Sequence, residues 1–185
     1  MCEDCIRSPK HFTSARASGV YDQSLMALVH QFKYKGKIQL AKPLGRLLFF
    51  TMFHFWGNTI IDVIVPVPLH KKRFKKRGFN QAFLLIKDWE KINEKFDQRF
   101  TSVQIEKDLI VREKHTKPQT GLSRKERVKN IRNAFRVKTS DKINGKRALI
   151  VDDVYTTGAT TNECARVLMK NGEKSVDVLT LARAV

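Results

Sequence analysis

Short apolar runs alternate along the chain with longer segments in which apolar residues recur at helical spacing. The short runs, rich in β-branched residues, are typical of strands buried on both faces of a parallel sheet. They are 60–65, 148–151 and 176–181, with shorter strands at 17–21, at 109–111 and within 130–137. The predicted helices are 22–32, 40–55, 83–96 and a segment from about 160 to Gly172. The pattern predicts an α/β domain.

The strand at 148–151 leads into the most informative stretch of the chain. Two carboxylates, Asp152 and Asp153, follow it directly. A small loop then precedes the helix, and its residues are Thr156, Thr157, Gly158, Ala159 and Thr160. Ligands of open α/β sheets bind beyond the carboxyl ends of such strands. The loop suits a phosphate, and the acid pair suits a ribose diol or Mg²⁺ held through water. Alternatively the acids cap a turn, but strand, acids, loop and helix together favour a ligand site.

A strongly basic run follows the strand at 60–65. Pro66 and Pro68 prevent a central strand from continuing, and six of the seven residues in 71–77 are basic. Such a run is usually a solvated surface. Here it follows a parallel strand and therefore faces the same crevice as the acid pair. We favour anion binding for three of its residues, which are Lys71, Arg73 and Arg77.

The stretch 112–127 is polar, contains Pro and Gly, and is longer than most connections. Long loops in compact domains are often lids or binding loops, and a mobile loop can close over a charged substrate. The alternative is an ordinary exposed loop that runs into a basic helix, and the sequence leaves both open. The candidate loop residues are Arg112, Lys114, Lys117 and Gln119.

The charge of the chain adds a second expectation. Of its 185 residues, 36 are Lys or Arg and 18 are Asp or Glu, which gives a net charge of +18. This excess is more than a small phosphorylated ligand needs, and it predicts a polyanionic partner, nucleic acid first. Aromatic residues alternate with lysines at 32–36, a pattern that suits base stacking but also a solvated helix end. The predicted nucleic-acid surface comprises Lys33, Lys35, Lys72, Lys75, Lys76, Arg124, Lys125 and Arg127.

Cys2 and Cys5 form a C-x-x-C pair with the spacing of half a zinc knuckle. Two thiolates do not complete a tetrahedral zinc site. The pair is therefore a remnant, part of a longer module, or half of a site that a second chain completes. We assign 1–15 to this cysteine tag and 16–185 to the α/β domain.

The remaining features concern location. Three cysteines fit a reducing compartment, and the N-terminal residues lack the pattern of a secretory signal. The most apolar window, 44–67, is interrupted by Arg46, His54 and Asp62, so we predict no membrane span. We expect a cytoplasmic protein.

Several motifs together resemble one known family. They are Cys2 with Cys5, 32–36, 65–69, 77–81, Arg112 with 116–119 and Leu122, Arg127 with Asn130, and 151–160. In this order they are similar to the ComF/GntX family of phosphoribosyltransferase-like proteins, which includes late competence proteins. The resemblance covers nearly the whole chain, and its specific parts are Arg-Gly-Phe-Asn-Gln at 77–81 and Asp-Asp-Val-Tyr-Thr-Thr-Gly-Ala-Thr at 152–160.

The resemblance implies a type I phosphoribosyltransferase-like fold, a doubly wound parallel sheet with helices on both faces. It also implies a site for Mg²⁺ with 5-phosphoribosyl-1-pyrophosphate (PRPP). There Asp152 and Asp153 contact the ribose, 156–160 bind the 5′-phosphate, and the basic run forms a pyrophosphate loop. Members often carry an N-terminal zinc module with two C-x-x-C pairs. This sequence has one pair, which leaves zinc binding open.

Two functions follow from the resemblance and the charge. The first is a phosphoribosyltransferase-like protein with a PRPP pocket that handles or transports single-stranded DNA during natural transformation, with the DNA-uptake machinery as a partner. The alternative is an active glycosyltransferase that transfers phosphoribose from PRPP to an acceptor. The sequence identifies no acceptor and no general base, so it leaves the enzymatic activity open.

Overall fold

Five parallel strands form the central sheet of the computed structural model, which describes residues 10–96, 103–116, 121, 123–138 and 143–184. In chain order the strands are β1 (Ser14–Val20), β2 (Val63–Pro66), β3 (Gln104–Ile105), β4 (Ile110–Arg112), β5 (Phe135–Val137), β6 (Arg147–Tyr155) and β7 (Ser175–Arg183). The spatial order in the sheet is β1-β7-β6-β2-β3, and β4 pairs with β5 in a separate antiparallel ribbon. Strand β6, which is nine residues long like β7, therefore lies at the centre of the sheet.

Seven α-helices connect these strands within the described residues. They are α1 (Gln23–Tyr34), α2 (Ala41–Trp56), α3 (Lys71–Arg77), α4 (Gln81–Ile86), α5 (Trp89–Phe96), α6 (Arg124–Ile131) and α7 (Ala159–Lys170). Helix α1 begins at an N-cap, because the Asp22 carboxylate accepts a hydrogen bond from the Leu25 N–H at 3.0 Å.

The two faces of the sheet bury different helices. Side chains alternate along β6, so Leu149 and Val151 pack with α2 and α4. Ala148 and Ile150 pack on the other face, with α7 and the β4–β5 ribbon. This arrangement confirms the predicted fold class, a doubly wound parallel sheet with helices on both faces.

Three local predictions were wrong in detail. The segment predicted as one helix at 83–96 is two helices, α4 and α5, which are separated at residues 87–88. The basic run forms the helix α3 instead of a loop. The His70 side chain accepts a hydrogen bond from the Lys72 N–H at its start, and Gly78, with φ +81°, ends it. Strand β6 continues to Tyr155, so Asp152 and Asp153 lie within the strand and not after it.

The helices of the described part of the chain are all too short or too polar to cross a membrane.

Candidate functional site

A cavity of about 840 Å³ opens where β2 and β6 end. Segments that are far apart in the sequence meet there, because the carboxyl ends of parallel strands lie at one edge of the sheet. The predicted site residues that line it are Lys33, Arg73, Lys76, Arg77, Arg112, Arg127, Asp152, Asp153, Thr156 and Thr160. The candidate ligand site, the basic helix and the polar stretch therefore belong to one cleft.

The loop before α7 has the geometry of an anion site. Gly158 has φ +70°, and a Cβ atom built on it would clash with the Tyr155 hydroxyl, so the turn strongly favours glycine. The Thr157 hydroxyl accepts a hydrogen bond from the Ala159 N–H at 3.4 Å, where the helix begins. A helix N terminus concentrates N–H groups that lack intrahelical acceptors, and its dipole favours negative charge. The loop is therefore shaped for a phosphate.

The acid pair is divided between the two faces of the sheet. Asp153 is buried and its Oδ1 lies 2.8 Å from Lys33 Nζ, which reaches over from α1. Asp152 Oδ1 accepts a hydrogen bond from the Asp153 N–H at 2.9 Å, and its carboxylate faces Arg112 and Cys164 on the α7 side. Both carboxylates still border the cleft.

The electrostatics of this pair follow from its burial. Burial and the neighbouring charge of Asp153 raise the pKa of Asp152 to about 7, although Lys33 and Arg112 act in the opposite direction. Burial by itself would lower the pKa of Lys33, but the Asp153 carboxylate outweighs it and raises that pKa. Lys33 therefore remains charged at neutral pH, whereas Asp152 is only partly ionised. Cys164 packs in the hydrophobic core, and its burial beside Asp152 raises the pKa of its thiol.

Helix α3 directs its basic residues to two sides. Arg73, Lys76 and Arg77 line the cleft, since residues three and four positions apart share one helix face. The Arg73 guanidinium donates a hydrogen bond to the Thr116 carbonyl oxygen at 3.0 Å, and that of Arg77 donates to Gln81 Oε1 at 3.0 Å. The exposed side of the helix carries Lys71, Lys72 and Lys75. Lys71, predicted to bind an anion, therefore lies outside the cleft, whereas Lys76 lines it.

The polar stretch contributes one buried cation. Arg112 is 7% exposed, donates a hydrogen bond to the Thr116 hydroxyl and stacks over the Phe135 ring at 5.5 Å. Its Nε has no hydrogen-bond partner among the described residues. Burial, and to a smaller extent Arg73, lower the pKa of Arg112 to about 10, so it remains charged at neutral pH. Lys114 is exposed outside the cleft, and Lys117 and Gln119 lie outside the described residues.

Two carboxylates at the cleft could act as ligands of a Mg²⁺ ion. Asp152 and Asp153 offer the carboxylate oxygens that this ion prefers, but Asp153 is already engaged by Lys33. No group of three or more His, Cys, Asp or Glu side chains in the described part of the chain could hold a metal ion. Within the described residues the chain therefore offers such an ion two carboxylates at most, one of them paired with Lys33. Cys2 and Cys5, the predicted partial zinc site, lie outside the described residues.

The chain was compared with curated proteins over its full length. It is 33% identical to the DNA utilization protein YhgH of Escherichia coli over 187 residues, which cover 100% of this chain and 78% of that protein. It is 32% identical to competence protein F of Haemophilus influenzae, with 99% and 78% covered. It is 28% identical to competence protein ComFC of Bacillus subtilis, with 100% and 72% covered. The chain belongs to the ComF family.

This ComF-family chain was also compared with models of protein families and with solved structures. A scan against models of protein families finds no match. Among solved structures, the glutamine PRPP amidotransferase of B. subtilis, complexed with ADP and GMP, superposes with a TM-score of 0.46 at 18% identity. The match covers 76% of this chain and 25% of that chain, so it spans a quarter of the length of the larger protein.

The sequence did not predict two contacts of this ComF chain. Their basic residues, Lys33 and Arg127, were instead assigned to a nucleic-acid surface. Lys33 pairs with Asp153 from a helix that lies 120 positions earlier. The Arg127 guanidinium donates a hydrogen bond to the Thr156 hydroxyl at 2.9 Å, which places a cation on the predicted phosphate loop. Ser123 and Glu126 form a capping box that starts α6 and orients Arg127, and this local signal was readable in the sequence.

Of the other residues of the predicted nucleic-acid surface, Lys35 and Lys125 are exposed, and the Arg124 side chain lies outside the described atoms.

Proposed function

We propose that this ComF-family protein binds PRPP in the cleft and handles single-stranded DNA during DNA uptake. The observation that carries the PRPP part is the lining of the cleft, in which residues of the loop 156–160, the acid pair and one side of α3 border a single cavity. Among the described lining residues, six cations surround two carboxylates. A ligand that carries a phosphate, a diol and a pyrophosphate complements a cavity lined by these three groups.

Each group has a role in the proposed complex. The loop 156–160 and Arg127 bind the 5′-phosphate, and the acid pair accepts hydrogen bonds from the ribose hydroxyls. Arg73 and Arg77 neutralise the pyrophosphate, and charge-assisted hydrogen bonds of this type are the stronger ones. A Mg²⁺ ion bound to the ligand would offset further negative charge of the pyrophosphate. Arg112, buried beside Asp152, limits the negative charge at the ribose site.

The DNA part of the proposal is supported by the relatives and by charge. The relatives are named DNA utilization and competence proteins, and the chain has a net charge of +18. The exposed lysines of α3 and Lys35 offer contacts to phosphates that require no particular base sequence. We propose that the protein acts in the cytoplasm with the DNA-uptake machinery.

Calorimetric titration with PRPP and Mg²⁺ tests the pocket. The wild type should bind, and an Asp152→Asn/Asp153→Asn double variant should bind at least about 10-fold more weakly because it loses the charged acceptors of the ribose hydroxyls. An Asp108→Asn variant, altered at an exposed position outside the cleft, is the matched control. Absence of PRPP binding by folded wild-type protein would refute this part of the proposal.

Fluorescence anisotropy with a single-stranded oligonucleotide tests the DNA part. Affinity should fall steeply with salt, since each phosphate contact to a single strand contributes about −0.7 to the slope of log K against log salt. Weak binding even at low salt would contradict it.

The cleft also supports a second candidate, an active phosphoribosyltransferase. Its volume of about 840 Å³ lies near the upper end of the roughly 300–1,000 Å³ typical of ligand pockets, which leaves room for an acceptor beside PRPP. Positioning and charge stabilisation would then carry the reaction. Pyrophosphate release from PRPP in the presence of candidate acceptors tests this activity, and its absence in a PRPP-binding protein would leave a binding function.

A further inference from the structure

Tyr34, the last residue of α1, presents an aromatic ring at the mouth of the cleft. It is 59% exposed although it lines the cavity. The guanidinium carbon of Arg77 lies 5.0 Å from the ring centroid, and the His30 ring lies 4.9 Å away one turn earlier in the same helix. The ring thus contacts these two neighbours while the residue as a whole remains more than half exposed to solvent.

The surroundings of this ring are basic. Arg77 belongs to α3, whose exposed side carries lysines and the half-exposed ring of Phe74. Lys35 follows Tyr34 directly and is also exposed. An aromatic face backed by a guanidinium and bordered by lysines matches the requirements of an unpaired nucleotide, because the base stacks on the ring and the cations contact the phosphates.

We propose that Tyr34 and Arg77 form a stacking platform for a base of single-stranded DNA, with the strand's phosphates along the exposed side of α3. The platform rests on the DNA part of the proposed function and gives it a location. It also places the strand across the opening of the PRPP cleft, because Arg77 and Tyr34 line that cavity.

The test compares two oligonucleotides of equal length and charge, one of thymidines and one of abasic sugars, by fluorescence anisotropy. Stacking of one base predicts that the wild type binds the thymidine strand about 5- to 100-fold more tightly than the abasic strand. Tyr34→Leu should reduce this preference to less than about 2-fold, whereas Tyr34→Phe, which retains the ring, should preserve it. Phe50→Leu removes another exposed ring, in α2 and outside the cleft, and is the matched control.

The outcomes separate the platform from the wider proposal. A thymidine preference that persists in Tyr34→Leu would overturn the platform, as would equal binding of both strands by the wild type. Failure of the wild type to bind either strand at low salt would overturn the DNA part of the proposed function together with the platform. A Tyr34→Leu variant that unfolds at the wild-type temperature and loses the thymidine preference would support the platform, because misfolding would then not explain the loss.

Discussion

At the scale of single residues, the neighbours of Asp152 decide how the site behaves with pH. This carboxyl has a pKa of about 7, raised by burial and by Asp153. In an unfolded chain an aspartate titrates near about 3.9. A group that retains its proton more strongly in the native state makes folding less favourable as pH rises through this window.

We therefore predict that Asp152→Asn increases the free energy of unfolding relative to wild type, by an amount that grows from pH 4 to pH 7 and is then constant. The upper limit is about 4 kcal/mol, since the pKa differs by about three units at about 1.4 kcal/mol each. Urea unfolding of both proteins from pH 4 to pH 8 measures the difference. Asp108→Asn, at an exposed position, should show no such trend, and a pH-independent difference for Asp152→Asn would contradict the assignment.

At the scale of elements, the turn into α7 depends on Gly158 for two reasons that can be separated. Its positive φ strains any residue with a side chain, and its Cβ position is occupied by the Tyr155 hydroxyl. Gly78, which ends α3, shares the positive φ but has open space around its Cβ position.

Gly78→Ala should therefore lower the free energy of unfolding by about 1–2 kcal/mol, the backbone strain alone. Gly158→Ala should lower it by about 2–5 kcal/mol, because displacement of the Tyr155 ring adds the cost of overpacking. Urea unfolding measures both. Equal losses for the two variants would show that the Tyr155 contact is readily relieved.

Substitutions on the two sides of α3 should weaken the binding of different ligands. Arg73→Gln, on the cleft side, should weaken PRPP binding about 10- to 100-fold, which is the usual value of a hydrogen bond to a charged group. Lys72→Gln/Lys75→Gln, on the exposed side, should leave PRPP affinity within about 2-fold and reduce the salt slope of single-stranded DNA binding by about 1.4, at about 0.7 per phosphate contact.

Calorimetry with PRPP and anisotropy at several salt concentrations measure the two effects. If the lysine variant lost PRPP affinity, or retained the full salt slope, the division of the helix into two sides would be wrong.

At the scale of the whole molecule, the sequence predicted features that depend on neighbouring residues and not the contacts between distant segments. The buried strand 148–151 and the loop at 156–160 could be predicted because each is indicated by a short pattern. These patterns are an apolar run, two adjacent acids and the motif Thr-Gly-x-Thr. The helical form of the basic run was missed because its signals, the His70 side chain that caps the start and Gly78 that ends it, flank the charged residues and are not part of the charge pattern. The contacts Lys33–Asp153 and Arg127–Thr156 were missed because they arise only when the sheet brings distant segments together.

The division of the acid pair has a consequence for the mechanics of the molecule. Asp153 belongs to the layer of α1 and α2, and Asp152 to the layer of α7 and the β4–β5 ribbon. A ligand that engages both carboxylates at once clamps these two layers across the edge of the sheet. Its binding energy then resists their separation, so that occupancy of the cleft makes the two layers harder to pull apart.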